Sequence, residues 1–142
     1  MKKTILLLYI SLIFSCTEKH KTDISLLNGY WEIQSVKQDN KLLKTYPFSG
    51  IIDYFEVENS KGLRKKVMPK FDGKFETSLH KINFNISVSN GETIIEYFDK
   101  NNTYKETIVK LDSTELFLTN KENYIYHYKV YENYTFGCIP TL

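Results

Sequence analysis

The sequence predicts an all-β domain, an eight-stranded antiparallel up-and-down barrel preceded by a short helical turn. Three observations carry this. The composition is that of strands: alanine is absent from the 142 residues, aromatics reach 15%, and Ile, Val and Thr are plentiful. Turn residues punctuate it, because Gly29, Gly50, Gly62, Gly73, Gly91 and Gly137, with Pro47, Pro69 and Pro140, fall between apolar runs. The period is two, most clearly where Ile82, Phe84, Ile86 and Val88 alternate with Asn83, Asn85, Ser87 and Ser89.

In chain order, Asp23 or Ser25 is placed to cap one helical turn through Ile24, Leu26 and Leu27, which would plug one barrel end. Strands follow over Tyr30 to Lys37, Ile51 to Glu58, Leu63 to Met68 and Ile82 to Val88. Asn90-Gly91 is the strongest short hairpin signal and leads into Glu92 to Phe98. Turns at Asp99 to Asn102, Asp112-Ser113 and Asn120 to Asn123 separate Thr103 to Leu111, Thr114 to Thr119 and Tyr124 to Glu132. Eight such strands close into a small barrel without sheet edges. The longest connection, Gln38 to Gly50, carries Leu42, Leu43, Tyr46, Pro47 and Phe48, and reads as a lid or an exposed apolar patch.

The first residues read as an address. Lys2-Lys3 precede an apolar run from Ile5 to Phe14, too short to span a bilayer and of the length of an export signal's core. Ile13-Phe14-Ser15-Cys16 resembles a bacterial lipobox, which implies cleavage before Cys16 and acylation of that cysteine with chains such as palmitate. The expected layout is a signal peptide over 1–15, a lipidated Cys16 and tether over 16–24, and a barrel over 25–142. The chain would then be anchored in the bacterial envelope, at the outer membrane, by its acyl groups. The alternative is a secreted protein in which Cys16 bonds to Cys138, the other cysteine.

The stretch Leu27-Asn-Gly29-Tyr-Trp31-Glu-Ile-Gln-Ser-Val36 is similar to the opening of a lipocalin-like domain, with Gly29 and Trp31 as its Gly-x-Trp motif. The resemblance runs loosely to Tyr131 and implies a barrel closed at one end by the tryptophan. Asp112 matches an aspartate of that family's loop between the sixth and seventh strands. A basic residue late in the last strand commonly covers the tryptophan; the one arginine is Arg64, so Lys129 is the nearest candidate. Shorter bacterial lipocalin-like lipoproteins match best. The alternative is a meander, sandwich or partly open barrel in which Trp31 is only core.

Catalytic motifs are missing. No nucleophile elbow, phosphate loop, His-Glu-x-x-His or Cys-x-x-Cys occurs, and His20, His80 and His127 lie far apart, so the chain reads as non-enzymatic, without metal or cofactor. His127 points away from the face of Tyr126 and Tyr128, and Glu56 with Glu58 read as carboxylates on a wet face. Nineteen basic residues against seventeen acidic leave a charge of +2, which Lys2 and Lys3 account for, so no nucleic-acid partner is expected.

The barrel interior is the candidate site. Tyr124, Tyr126, Tyr128 and Val130 share one face of the last strand, and Ile51, Asp53, Phe55 and Val57 one face of the second. With Phe84 and Ile86, the residues Phe55, Val57, Tyr124, Tyr126 and Tyr128 are the expected lining for a small apolar or amphipathic ligand. Equally, they could interdigitate into a dry core. A second reading is a monomeric protein-interaction module, an inhibitor, immunity factor or assembly accessory, using the barrel as scaffold. Lys61, Arg64, Lys65, Lys66, Lys70 and Lys74 form a basic segment, either a rim for anionic partners or a solvated edge strand. Asp112-Ser113-Thr114 reads as a turn or an O-glycosylation pattern.

Overall fold

The computed structural model describes residues 21–132. The leader, Cys16, most of the tether and Cys138 lie outside those residues. A 3₁₀ turn (Ile24–Leu27) precedes nine strands: β1 (Gly29–Gln38), β2 (Lys41–Thr45), β3 (Ile52–Glu58), β4 (Lys61–Pro69), β5 (Phe75–Ser89), β6 (Glu92–Asp99), β7 (Asn102–Leu111), β8 (Glu115–Thr119) and β9 (Tyr124–Val130). Each strand pairs antiparallel with its neighbour, and β1 pairs with β9 from Trp31↔Val130 to Gln38↔Tyr124, closing the barrel.

The extra strand is β2, within the segment expected to be a lid or an exposed apolar patch, and its Leu42 and Leu43 are exposed. It and β3 share one edge of β1: β3 pairs along Gly29 to Glu32, and β2 along Ser35 to Gln38. Together they form one long antiparallel strand interrupted between Tyr46 and Ile51. Pro47 has no backbone N–H to give to a ladder, and Gly50 sits at φ +65°, so the chain bows out here. Eight strands therefore close the barrel, as the sequence implied, with β2 added at one end.

The turns dictate which end is which. Asp39-Asn40, Asn59-Ser60 and Asn90-Gly91 all hold both central residues at positive φ, the backbone of two-residue hairpins. The 3₁₀ turn packs against β3 and β7 at one end of the barrel. Asp23 caps that turn, its carboxylate accepting from the Ser25 N–H at 3.0 Å. Asn28 ties it to β3 by accepting from the Val57 N–H at 2.7 Å. Trp31 donates its indole N–H to the Leu27 carbonyl at 2.9 Å, and both side chains are buried. Gly29, at φ +125°, lets the chain turn from the plug into β1.

The core fills this closed half: Leu27, Trp31, Phe55, Phe84, Ile95, Leu116 and Leu118 are sealed from solvent. Gly62 is required here, because a Cβ would lie 2.5 Å from the Phe84 ring and would also meet the Glu56 carbonyl.

At the other end the β4–β5 hairpin leans outward. A bulge sets Lys65↔Lys81 against Val67↔Thr77, and beyond it Phe75 stacks on Tyr30, ring centroids 4.3 Å apart. Tyr30 also meets Tyr54 at 4.9 Å, and Phe75 meets Tyr131 at 5.9 Å. Alternation puts Tyr30, Ile52 and Tyr54 on the outer wall, opposite Trp31, Asp53 and Phe55. Ile52 and Val67 are nevertheless buried, covered by this external cluster. A hairpin held against the outer wall leaves the mouth uncovered.

Candidate ligand-binding site

The open half of the barrel is a cup. Val36, Gln38, Ile82, Tyr104, Tyr124 and Tyr126 share the inward register of the sealed core residues yet are only partly buried, with Ile82, Tyr104 and Tyr126 packed against the core. One wall is notched. β8 pairs with β7 only from Thr107 onward, so residues 102–106 of β7 have a free edge below the β8–β9 turn. A groove of about 660 Å³ runs there, reached from within by Tyr104, Glu106 and Tyr126.

The floor of the cup is polar, and its centre is Arg64. Arg64 and Lys66 alternate inward with Gly62 on β4, while Leu63, Lys65 and Val67 face out. Arg64 donates from Nε to Asp53 Oδ1 at 2.9 Å, from one terminal nitrogen to Glu106 Oε2 at 3.4 Å, and from the other to the Tyr128 hydroxyl at 2.9 Å. Its guanidinium lies over the rings of Phe55 (5.1 Å), Tyr97 (5.7 Å) and Tyr128 (5.9 Å). Lys66, at the solvent side, reaches the Asp53 carboxylate at 2.8 Å. The Tyr97 hydroxyl, fully buried among them, lies beside the Glu106 carboxylate without a hydrogen bond of good geometry.

The electrostatics follow from this packing. Burial works against ionising Asp53, which is 2% exposed, but the charges of Arg64 and then Lys66 outweigh it and hold the carboxyl below its ordinary value. Burial likewise opposes the charge on Arg64, and Tyr128, Asp53, Tyr97 and Glu106 together hold its pKa well above the ordinary one. The Tyr97 and Tyr128 phenols are pushed up, mainly by burial, with Arg64 pulling the other way. At neutral pH the floor therefore holds neutral phenols around a charged arginine.

The expected lining residues divide between the two halves. Phe55, Phe84 and Ile86 are buried in the closed half, with Val57 packed against them. Tyr128 spans the boundary, its ring in the core and its hydroxyl on Arg64. Only Tyr124 and Tyr126 stand in the open cup, their rings stacked at 6.3 Å. Of the second-strand face, Asp53, Phe55 and Val57 point inward as expected, whereas Ile51 precedes the strand and is exposed. Gly29 and Trp31 stand at the start of β1, with Trp31 buried against Leu27.

Three expectations are corrected. Lys129 does not cover Trp31: it is exposed and alternates to the outer face, opposite in register to Tyr128. The basic segment is not one rim, since Arg64 and Lys66 turn inward while Lys70 and Lys74 pair with Glu76 and Asp72 on the hairpin. Nor is β4 an edge strand, because it lies between β3 and β5. His127 does face outward, stacked on Phe117 at 4.2 Å beside Glu115. Asp112 caps its turn, accepting from the N–H groups of Thr114 and Glu115 at 2.8 Å. Among the described residues no group of three His, Cys, Asp or Glu side chains is placed to hold a metal ion.

A closed eight-stranded antiparallel barrel with one extra strand, preceded by a single 3₁₀ turn, defines the class. The family model for a lipocalin-like domain matches residues 27–118, and the chain belongs to that family. Among solved structures it is similar to a lipocalin-like protein from Bacteroides uniformis, with 12% identity, TM-score 0.47, and 75% of this chain and 99% of that one covered. It is also similar to an uncharacterized protein from Bacteroides eggerthii (14% identity, TM-score 0.45, 74% and 99% covered). Apocrustacyanin C1 aligns at 10% identity and TM-score 0.47, covering 81% of this chain and 66% of that one. No curated protein sequence matches the chain.

Proposed function

We propose that this protein is a lipid-anchored lipoprotein of the bacterial envelope whose barrel holds a small apolar or amphipathic molecule in its open half. The observation that carries the binding reading is the partly buried inward wall of Val36, Ile82, Tyr104, Tyr124 and Tyr126 above a polar floor. Such a cup offers apolar area to a ligand body and oriented polar groups to one end of it. The anchoring reading rests on the leader and Cys16. No described residue is assigned to catalysis.

Native mass spectrometry of residues 19–142, beside an organic extract of the same sample, tests the binding reading. A bound small molecule that leaves on extraction supports it; a bare mass, unchanged after exposure to a lipid extract, contradicts it. Labelling with a palmitate analogue tests the anchor, and Cys16→Ser should abolish both label and membrane association.

A second reading has its own observation. Phe71 and Phe48 are strongly exposed, and Leu42, Leu43 and Met68 are about half-exposed, on β2, the end of β4 and the loops that follow these strands. An apolar surface of this kind suits a protein partner, with the barrel as scaffold. Binding unchanged by occupation of the cup, and lost on Phe48→Ser with Phe71→Ser, would favour it.

A further inference from the structure

We infer that the cup selects an uncharged ligand whose head carries oxygen acceptors, such as a carbonyl or ester, and that this head docks on the Tyr97 hydroxyl and the free N–H groups of Arg64. The inference rests on the proposed binding function and adds the chemistry of the ligand's polar end.

The floor closes its own charge balance. Arg64 and Lys66 carry two positive charges, Asp53 and Glu106 two negative ones, all in one connected cluster. A ligand carboxylate on the same N–H groups would add one more negative charge to a site where Asp53 and Glu106 are already buried. An ammonium head would compete with Arg64 and Lys66 for the same carboxylates. An uncharged head disturbs neither pairing.

Hydrogen-bonding capacity points the same way. A guanidinium has five N–H groups, and the protein engages three of those on Arg64. The contact to Glu106, at 3.4 Å, is the longest of the three. The Tyr97 hydroxyl is fully buried beside the Glu106 carboxylate yet makes no hydrogen bond of good geometry, so a better-placed acceptor would complete it. Glu106, which Arg64 contacts, and Tyr104, which stacks on Tyr97 at 4.7 Å, both line the side groove, so these donors lie one side chain away from it. A neutral oxygen acceptor fits there, with its apolar body along Tyr126, Tyr124 and Val36.

The test uses the chain from residue 17 onward, which retains every strand of the closed barrel, and the uncharged fluorophore N-phenyl-1-naphthylamine as a reporter of the cup. Displacement is then compared for a ten-carbon methyl ketone, the methyl ester of the ten-carbon acid, and that acid itself at pH 7.5. The ketone and ester should bind about tenfold or more tighter than the ionised acid. Tyr97→Phe should weaken ketone binding about fivefold relative to any change in the fluorophore's own affinity, the worth of one hydrogen bond. An acid that binds as tightly as the ketone, or a ketone indifferent to Tyr97→Phe, would overturn the inference and leave the binding function standing. A chain that binds neither fluorophore nor amphiphile would overturn both.

Discussion

Arg64 on β4 and Asp53 on β3 join Nε to Oδ1 at 2.9 Å inside the barrel, and this contact separates the sealed half of the molecule from the open one. Below it lie the rings of Phe55 and Phe84 and the plug of Trp31 on Leu27; above it the inward side chains meet solvent. A charge so placed is tolerated because it is paired on several sides. Replacing one partner alone leaves the other charge buried and unmatched. Asp53→Asn should therefore cost about 3–5 kcal/mol, the usual penalty for breaking a buried pair. Joint replacement of Asp53 by Leu and Arg64 by Met should recover much of that loss. Urea unfolding followed by the fluorescence of Trp31, the one tryptophan, measures both.

The same pair makes stability depend on acidity. The Asp53 carboxyl is held below its ordinary value of 3.8 by Arg64 and Lys66, against the opposing effect of burial. A depressed carboxylate favours the folded state wherever it is ionised in both states, and that advantage fades as protons return to it. The contribution is thus complete at neutral pH and is lost as pH falls from about 4 downward. Thermal melts between pH 7 and pH 2.5 should show Asp53→Asn approaching the wild type in the acid limb, with the difference largest at pH 7.

Gly62 tests the packing of the closed half. A methyl group there would press on the Phe84 ring, 2.5 Å away, and on the backbone of Glu56. Gly62→Ala should destabilise by about 1–3 kcal/mol, as overpacked cores do. Phe84→Leu in the same chain should return only part of it, because the Glu56 carbonyl cannot step aside as a side chain can. Denaturation midpoints of the single and double variants decide this.

The hairpins and the closed end were legible from sequence, and the polar floor was not. Alternation through Ile82 to Val88 and the Asn90-Gly91 turn fixed a period and a register that the fold repeats. Gly29 and Trp31 marked the closed end because both answer to local needs, a positive φ and a ring large enough to seal a barrel. Arg64 was hidden in a run of lysines, where six cations within a short span look like a solvated surface. One signal could have exposed it. Asp53 falls on the inward face of Phe55 and Val57, and a carboxylate there needs a cation from a neighbouring strand. The outward lean of the β4–β5 hairpin was not legible either, since the stack of Phe75 on Tyr30 joins residues far apart in sequence.

The open cup is tested most directly by blocking it. Val36 points inward on β1 opposite Tyr126, so Val36→Trp should fill the cup, whereas Val88→Trp, at an exposed site near the closed end, serves as the control. Titration of N-phenyl-1-naphthylamine against the wild type and both variants reads the outcome. Binding lost in Val36→Trp and kept in Val88→Trp is the predicted result. Equal binding by all three folded proteins would place the ligand elsewhere and contradict the account.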